Sequence, residues 1–105
     1  MNDEKKGRFE TIFDYVRTIP TGRVLAYGEV GQAVGETART VGWAMSLVPK
    51  DVPWHRVVGA DGYLRIARRA TELATEQRRR LQEEGVILNE KDCVLAEYFW
   101  SQESA

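Results

Sequence analysis

The chain has 105 residues, 43% hydrophobic and 30% charged, with 15 Lys and Arg against 16 Asp and Glu and a formal net charge of −1. That length predicts one domain over residues 1–105, with a core large enough to need no staples, and the single Cys excludes an internal disulfide. No internal repeat, low-complexity segment or membrane-spanning run is visible, and the charged stretch from Met1 to Gly7 has no apolar run after it. A soluble intracellular protein is therefore expected, in a reducing compartment. The net charge does not announce a nucleic-acid partner, but its distribution is uneven. Residues 17–80 carry eleven Lys and Arg against six Asp and Glu, while residues 81–105 carry one Lys against six acids. The middle is basic and the end acidic, although a solvated mixed-charge surface explains the composition equally well.

Phe9, Ile12, Phe13, Val16 and Ile19 fall at helical spacing and predict a first amphipathic helix, ended by Pro20 and Gly22. Thr21-Gly22-Arg23-Val24 reads as a turn. Tyr27 opens a short helix with Val30, Ala33 and Val34 on its buried side, ended by Gly35. Thr37 is a good N-cap for the next helix, whose core stripe is Val41, Ala44, Met45 and Val48. Two short helices joined by a Gly-containing turn predict a helix-turn-helix, with a recognition helix over about residues 37–48. The other face of that helix carries Ala38, Gly42 and Ser46, all small and four apart. Gly inside a helix costs about 1 kcal/mol against Ala, so Gly42 points to a close contact, with a helix or with a groove wall.

Pro53 stiffens the turn that follows, residues 53–58, which holds Trp54, the lone His55 and Arg56 and runs into the short buried strand Val57-Val58. Gly59, Asp61 and Gly62 reverse the chain, and Tyr63 to Arg69 follow. A helix starting at Ala70 or Thr71 and ended by Gly85 has Leu73, Ala74 and Leu81 as its apolar face. Its Arg78, Arg79 and Arg80 stand among glutamates at pairing distances and read as a solvated face. Val94, Leu95, Tyr98 and Phe99 are expected to pack on the core, and Cys93 among them reads as a buried core residue.

Pro53-Trp54-His55-Arg56-Val57-Val58 resembles the Pro-Cys-His-Arg-Val-Val active-site motif of the O6-alkylguanine-DNA alkyltransferases, with Trp54 in the place of the alkyl-accepting Cys. Pro20 to Val24 resembles that family's Pro-x-Gly-x-Val segment, and Ala38-Arg39-Thr40-Val41-Gly42-Trp43-Ala44-Met45 resembles its recognition helix. The combination resembles the alkyltransferase-like proteins, which keep the DNA-binding fold and lack the nucleophile. The resemblance implies a mainly α, winged helix-turn-helix-like domain whose recognition helix lies in the minor groove. It implies DNA contacts from Thr37, Ala38, Arg39, Gly42, Trp43 and Ser46, with Arg39 entering the space left by a flipped nucleotide. It implies a lesion pocket of Tyr27, Trp54, His55, Arg56 and Arg65, in which Tyr27 rotates the phosphate and Trp54 forms a wall. Glu84-Gly85 matches the family's Glu-Gly, so Glu84 is expected to pair with His55. The chain departs from the enzymes at Val48-Pro49, where they carry Asn before Pro to hold the turn. It departs again at Gly62-Tyr63-Leu64-Arg65-Ile66-Ala67, where their Ser is missing and Arg65 is the candidate lid residue.

The chemistry agrees with a site that binds and does not react. Alkyl transfer needs a thiolate, and an indole offers no nucleophilic lone pair and only an N–H donor. No catalytic residue, cofactor or metal-ligand cluster is expected. The implied partners are double-stranded DNA containing O6-alkylguanine and proteins of nucleotide-excision repair, with the protein a monomer, cytoplasmic at the nucleoid in a bacterium or nuclear in a eukaryote. The alternatives are an enzyme of the same fold with a base-removal activity, and a helix-turn-helix module for undamaged DNA.

Overall fold

Apolar residues at helical spacing draw the first helix, α1 (Asp3–Arg17), against the two that follow, α2 (Tyr27–Val34) and α3 (Ala38–Met45). The computed structural model describes residues 3–65 and 71–101. Ile12, Phe13 and Val16 of α1 are buried with Ile19, Val30, Val41, Ala44, Val52 and Val57 in one cluster. Val24, Val58, Leu64, Leu81, Val86 and Val94 form a second. Between the two runs a parallel pair of short strands, β1 (Leu25–Ala26) and β2 (Val57–Val58), in register Leu25 to Val57 and Ala26 to Val58. Side chains alternate across strands, so Leu25 and Val57 enter the first cluster while Val24 and Val58 enter the second. The last helix, α4 (Thr71–Glu83), lies behind the Trp54–Arg56 turn, a single 3-10 turn leading into β2. Tyr63 bridges to Cys93, which ties the C-terminal segment to the loop after β2, and Leu88 bridges to Val94 within that segment. Among the described residues no helix is long and apolar enough to cross a membrane.

The helix-turn-helix forms as its local signals predict. Gly35 closes α2 at φ 78°, a left-handed conformation that favours glycine, and the Thr37 hydroxyl accepts from the Thr40 N–H at 3.1 Å to cap α3. The buried side of α2 differs from the expectation. Ala33 is exposed, and Gly31 is buried in its stead. The reason is a close approach. The turn folds back on α2 so tightly that a Cβ at Gly31 would lie 2.5 Å from the Glu36 carbonyl oxygen.

Three further expectations are corrected. The recognition helix ends at Met45, not 48, because Ser46 caps it by donating its hydroxyl to the Trp43 carbonyl at 2.6 Å. Leu73 is exposed, because α4 turns Ala74, Gln77 and Leu81 inward. Cys93 is only half-buried, since it sits on a chain-edge bridge, with its thiol 3.8 Å from the Lys91 carbonyl. Ala70 as a helix start, and Ile66 and Ala67 of the loop, lie outside the described residues.

Gly31→Ala is expected to lower stability by about 2–3 kcal/mol, since backbone on both sides must separate to admit one methyl group. Urea unfolding of the variant against wild type measures it. A change under about 0.5 kcal/mol would show that the turn relaxes freely.

Candidate nucleic-acid interface

Pro53 starts the 3-10 turn, and the Trp54 N–H donates to the Val52 carbonyl at 2.8 Å. The Asn that holds this turn in the enzymes is missing, and other groups take over. Arg17 of α1 donates to Asp51 at 3.1 Å, which fixes the approach to the turn. On the other side, the buried Gln77 amide of α4 donates to the His55 carbonyl at 3.2 Å and the Val57 carbonyl at 3.0 Å.

Glu84, just past α4, binds the interior of the turn. Its carboxylate accepts from the Gly22 N–H at 2.9 Å, from Arg56 Nη2 at 2.8 Å and from His55 Nε2 at 2.7 Å. Arg56 continues to the Ile19 carbonyl at 2.9 Å and the Thr21 hydroxyl at 3.0 Å. Burial pushes the Glu84 carboxyl up, but the hydrogen bonds from Arg56, His55 and Gly22 outweigh it and bring it down to about 2. Burial lowers the His55 pKa, and its bond to Glu84 only partly opposes that. At neutral pH the imidazole is therefore uncharged and donates from Nε2, which leaves its buried Nδ1 without a partner among the described residues. His55 and Arg56, expected in the pocket, do not line it. They are turned toward Glu84, which accounts for their partners without a substrate.

In front of the turn lies a cavity of about 650 Å³. Tyr27 and Gly28 of α2 form one side, and Ala38, Arg39, Gly42, Trp43, Met45 and Ser46 of α3 form another. Trp54, with Gly59, Ala60 and Arg65 of the following loop, completes it. Of the residues expected at the site, Tyr27, Ala38, Arg39, Gly42, Trp43, Ser46, Trp54 and Arg65 thus share one surface. Thr37 stands just outside as the cap of α3. Gly42 opens into free space, with nothing within 4 Å of an added Cβ, so its smallness is not used by packing inside the protein. Gly59 is used: a Cβ there would lie 2.5 Å from Arg65 Nε, so its lack of a side chain lets the Arg65 stem lie across the loop.

Two cations mark the rim. The Arg39 guanidinium carbon is 5.9 Å from the centroid of the Trp43 ring, and neither Arg39 nor Arg65 has a carboxylate partner among the described residues. Trp43 is 52% exposed, a large apolar surface on the outward face of α3. Sequence reading missed Gln77 and Arg80. Gln77 holds the turn, and the guanidinium carbon of Arg80 lies 5.7 Å from the Trp54 ring centroid. Arg80 is thus not simply part of a solvated face, whereas Arg79 is, paired with Glu76 and Glu83. The signal for Gln77 lay in the 74, 77, 81 spacing, which a polar residue at the middle position disguised.

The Glu84 network predicts a stability that falls with acid in two windows. The His55 pKa is lowered from 6.5, so its contribution is complete above 6.5 and is lost as pH falls below that value. The Glu84 pKa is lowered from 4.5 to about 2, so its contribution is complete above 4.5 and is lost as pH falls toward 2. Glu84→Gln should cost about 2–3 kcal/mol at pH 7, below the value for a fully buried pair because water screens part of it. It should also remove part of the slope in the lower window. Melting curves from pH 7 to 3 test this, and identical slopes for the two proteins would refute it.

The family model for the DNA-binding domain of 6-O-methylguanine DNA methyltransferase matches residues 8–86. The chain is 43% identical to alkyltransferase-like protein 1 of Schizosaccharomyces pombe over 103 residues, covering 88% of this chain and 93% of that protein. It is 32% identical to a DNA base-flipping protein of Vibrio parahaemolyticus, covering 85% of this chain and 91% of the relative. The crystal structure of S. pombe Atl1 in complex with damaged DNA containing O6-carboxymethylguanine superposes with a TM-score of 0.81 at 34% identity, covering 91% of this chain and 96% of that one. With three quarters of its length inside the family model and the same helical architecture, this chain belongs to the family of the 6-O-methylguanine DNA methyltransferase DNA-binding domain.

Proposed function

We propose that this protein recognises DNA containing O6-alkylguanine, flips the damaged nucleotide and does not repair it. The observation that carries the proposal is the cavity beside α3, walled by the Trp54 indole where the enzymes of the family have a thiol. Its volume admits a purine with room to spare, and its lining combines the aromatic rings of Tyr27, Trp43 and Trp54 with the cations Arg39 and Arg65, as a flipped base beside phosphates requires. The Atl1 complex with O6-carboxymethylguanine DNA supports an O6-alkylguanine ligand. The open face at Gly42 gives α3 a surface that a minor-groove wall can approach closely. Arg39 then leaves Trp43 to occupy the gap in the stack, and Tyr27 crowds the stacked position of the nucleotide. Trp54 takes the face of the extruded base, and Arg65 closes from the loop. Alkylation removes the N1 donor of guanine and adds apolar surface, so the lesion loses less than guanine does on leaving water. The bound lesion is then shielded or marked, and its handover to nucleotide-excision repair is part of the same proposal.

Incubation with excess O6-methylguanine duplex should leave the intact mass unchanged, because the single thiol, Cys93, is not among the described residues that line the cavity. A gain of one methyl group would overturn the non-catalytic part of the proposal, and loss of the base from the DNA would replace it with a base-removal activity.

Trp54→Ala and Arg65→Ala should weaken binding to the lesion duplex more than to matched guanine, by about 1–3 kcal/mol for the aromatic contact and about 0.5–2 kcal/mol for the cation. Arg39→Ala should cost about 1–3 kcal/mol on the lesion, the scale of the unstacking it offsets. Affinity for undamaged duplex should follow phosphate contacts and fall with salt. Titrations at two salt concentrations read both. Equal losses on the two duplexes would mean that Trp54 and Arg65 do not read the lesion.

A further inference from the structure

In the base-flipping reading, on which this inference rests, the flipped base meets the cavity face of Trp54, and the ring must be held by other groups. Arg80 reaches Trp54 from α4, with its guanidinium carbon 5.7 Å from the ring centroid. Trp54 lines the cavity, and Arg80 is not among the residues that line it. One edge of the guanidinium is fixed: Arg80 Nε donates to Glu76 Oε2 at 2.7 Å, which also accepts from Arg79 at 2.6 Å. An exposed ion pair of this kind adds little stability, so its effect here is geometric. Arg79 provides an internal contrast. It sits one position earlier, shares Glu76 and is more exposed, 54% against 38%, but makes no cation–π contact with Trp54 among the described residues.

We infer that Arg80 is a positioning residue for lesion recognition, which holds the Trp54 indole by a cation–π contact from α4 and leaves the opposite face free for the flipped purine. A ring held from behind need not be ordered when the base arrives, so binding loses less entropy. The gain falls on the flipped base and not on the phosphates. It therefore appears as preference for lesion over guanine and leaves the salt dependence alone.

The test compares Arg80→Leu, Arg79→Leu, Arg80→Lys and Glu76→Gln in the full chain, by titration against O6-methylguanine and guanine duplexes. Arg80→Leu should lower the ratio of lesion to undamaged affinity by about three- to tenfold, with Arg80→Lys between it and wild type, as the cation remains but the planar stack is lost. Arg79→Leu removes the same charge and should leave the ratio unchanged. In nitrogen–proton NMR spectra of the free protein, the Trp54 indole N–H resonance, identified with Trp54→Phe, should move in Arg80→Leu and stay in Arg79→Leu. If Arg80→Leu does not fold, Glu76→Gln carries the test, since it releases the guanidinium without removing it and should lower the ratio part of the way. A ratio retained in full by Arg80→Leu, or lost equally by Arg79→Leu, overturns the assignment of Arg80 alone. A wild-type ratio of one overturns the base-flipping reading, and this inference with it.

Discussion

The Glu84 carboxylate is the constraint on which the rest of the site depends. It joins the turn before β1 through the Gly22 N–H, the turn before β2 through His55 and Arg56, and the end of α4, which it directly follows. A charge this far from water is costly unless hydrogen bonds replace its hydration, and here four donors do so. With Trp54 in the turn, the carboxylate still has every partner it needs within the protein. His55 and Arg56 are kept by what they hold in place.

The cavity depends on this arrangement at one remove. Its α3 side is set by the helix-turn-helix, which packs on α1 through Val41 and Ala44. Its Trp54 side is set by the turn that Glu84 and Gln77 clamp from behind. The two sides meet only because β1 and β2 pair, which brings the end of the first turn beside the end of the second. A rigid back and an open front suit a pocket that binds a ligand in one orientation.

What was legible in the sequence was local. Thr37 as a cap, Gly35 as a stop and the Val57-Val58 strand each follow from interactions within a few residues. The Trp54 turn and the members of the cavity on α3 were legible because a motif resemblance named them together. What was not legible was long-range. Strand β1 is only Leu25 and Ala26, too short for any periodicity, and exists because Val57 and Val58 lie beside it. Gly31 replaces Ala33 on the buried side because the backbone of Glu36 presses there, which no pattern within α2 reveals. Arg80 looked like its neighbours Arg78 and Arg79 because charge spacing carries no information about an aromatic ring some 26 positions earlier. The motif resemblance placed His55 and Arg56 in the pocket and also paired His55 with Glu84; only the pairing is seen, and both side chains are taken up by Glu84.

The brevity of the strand pair has a consequence for behaviour at high concentration. Long exposed strand edges offer rows of unpaired amides on which another chain can add. Here each strand is two residues long and every one of those residues is buried, while Val24, just before β1, is already bridged to Phe99. The sheet that aligns the site therefore leaves no edge on which an aggregate can be templated. Partially unfolded chains gain their nearest hazard only when the C-terminal segment lifts away and uncovers Val24 and Val58 together.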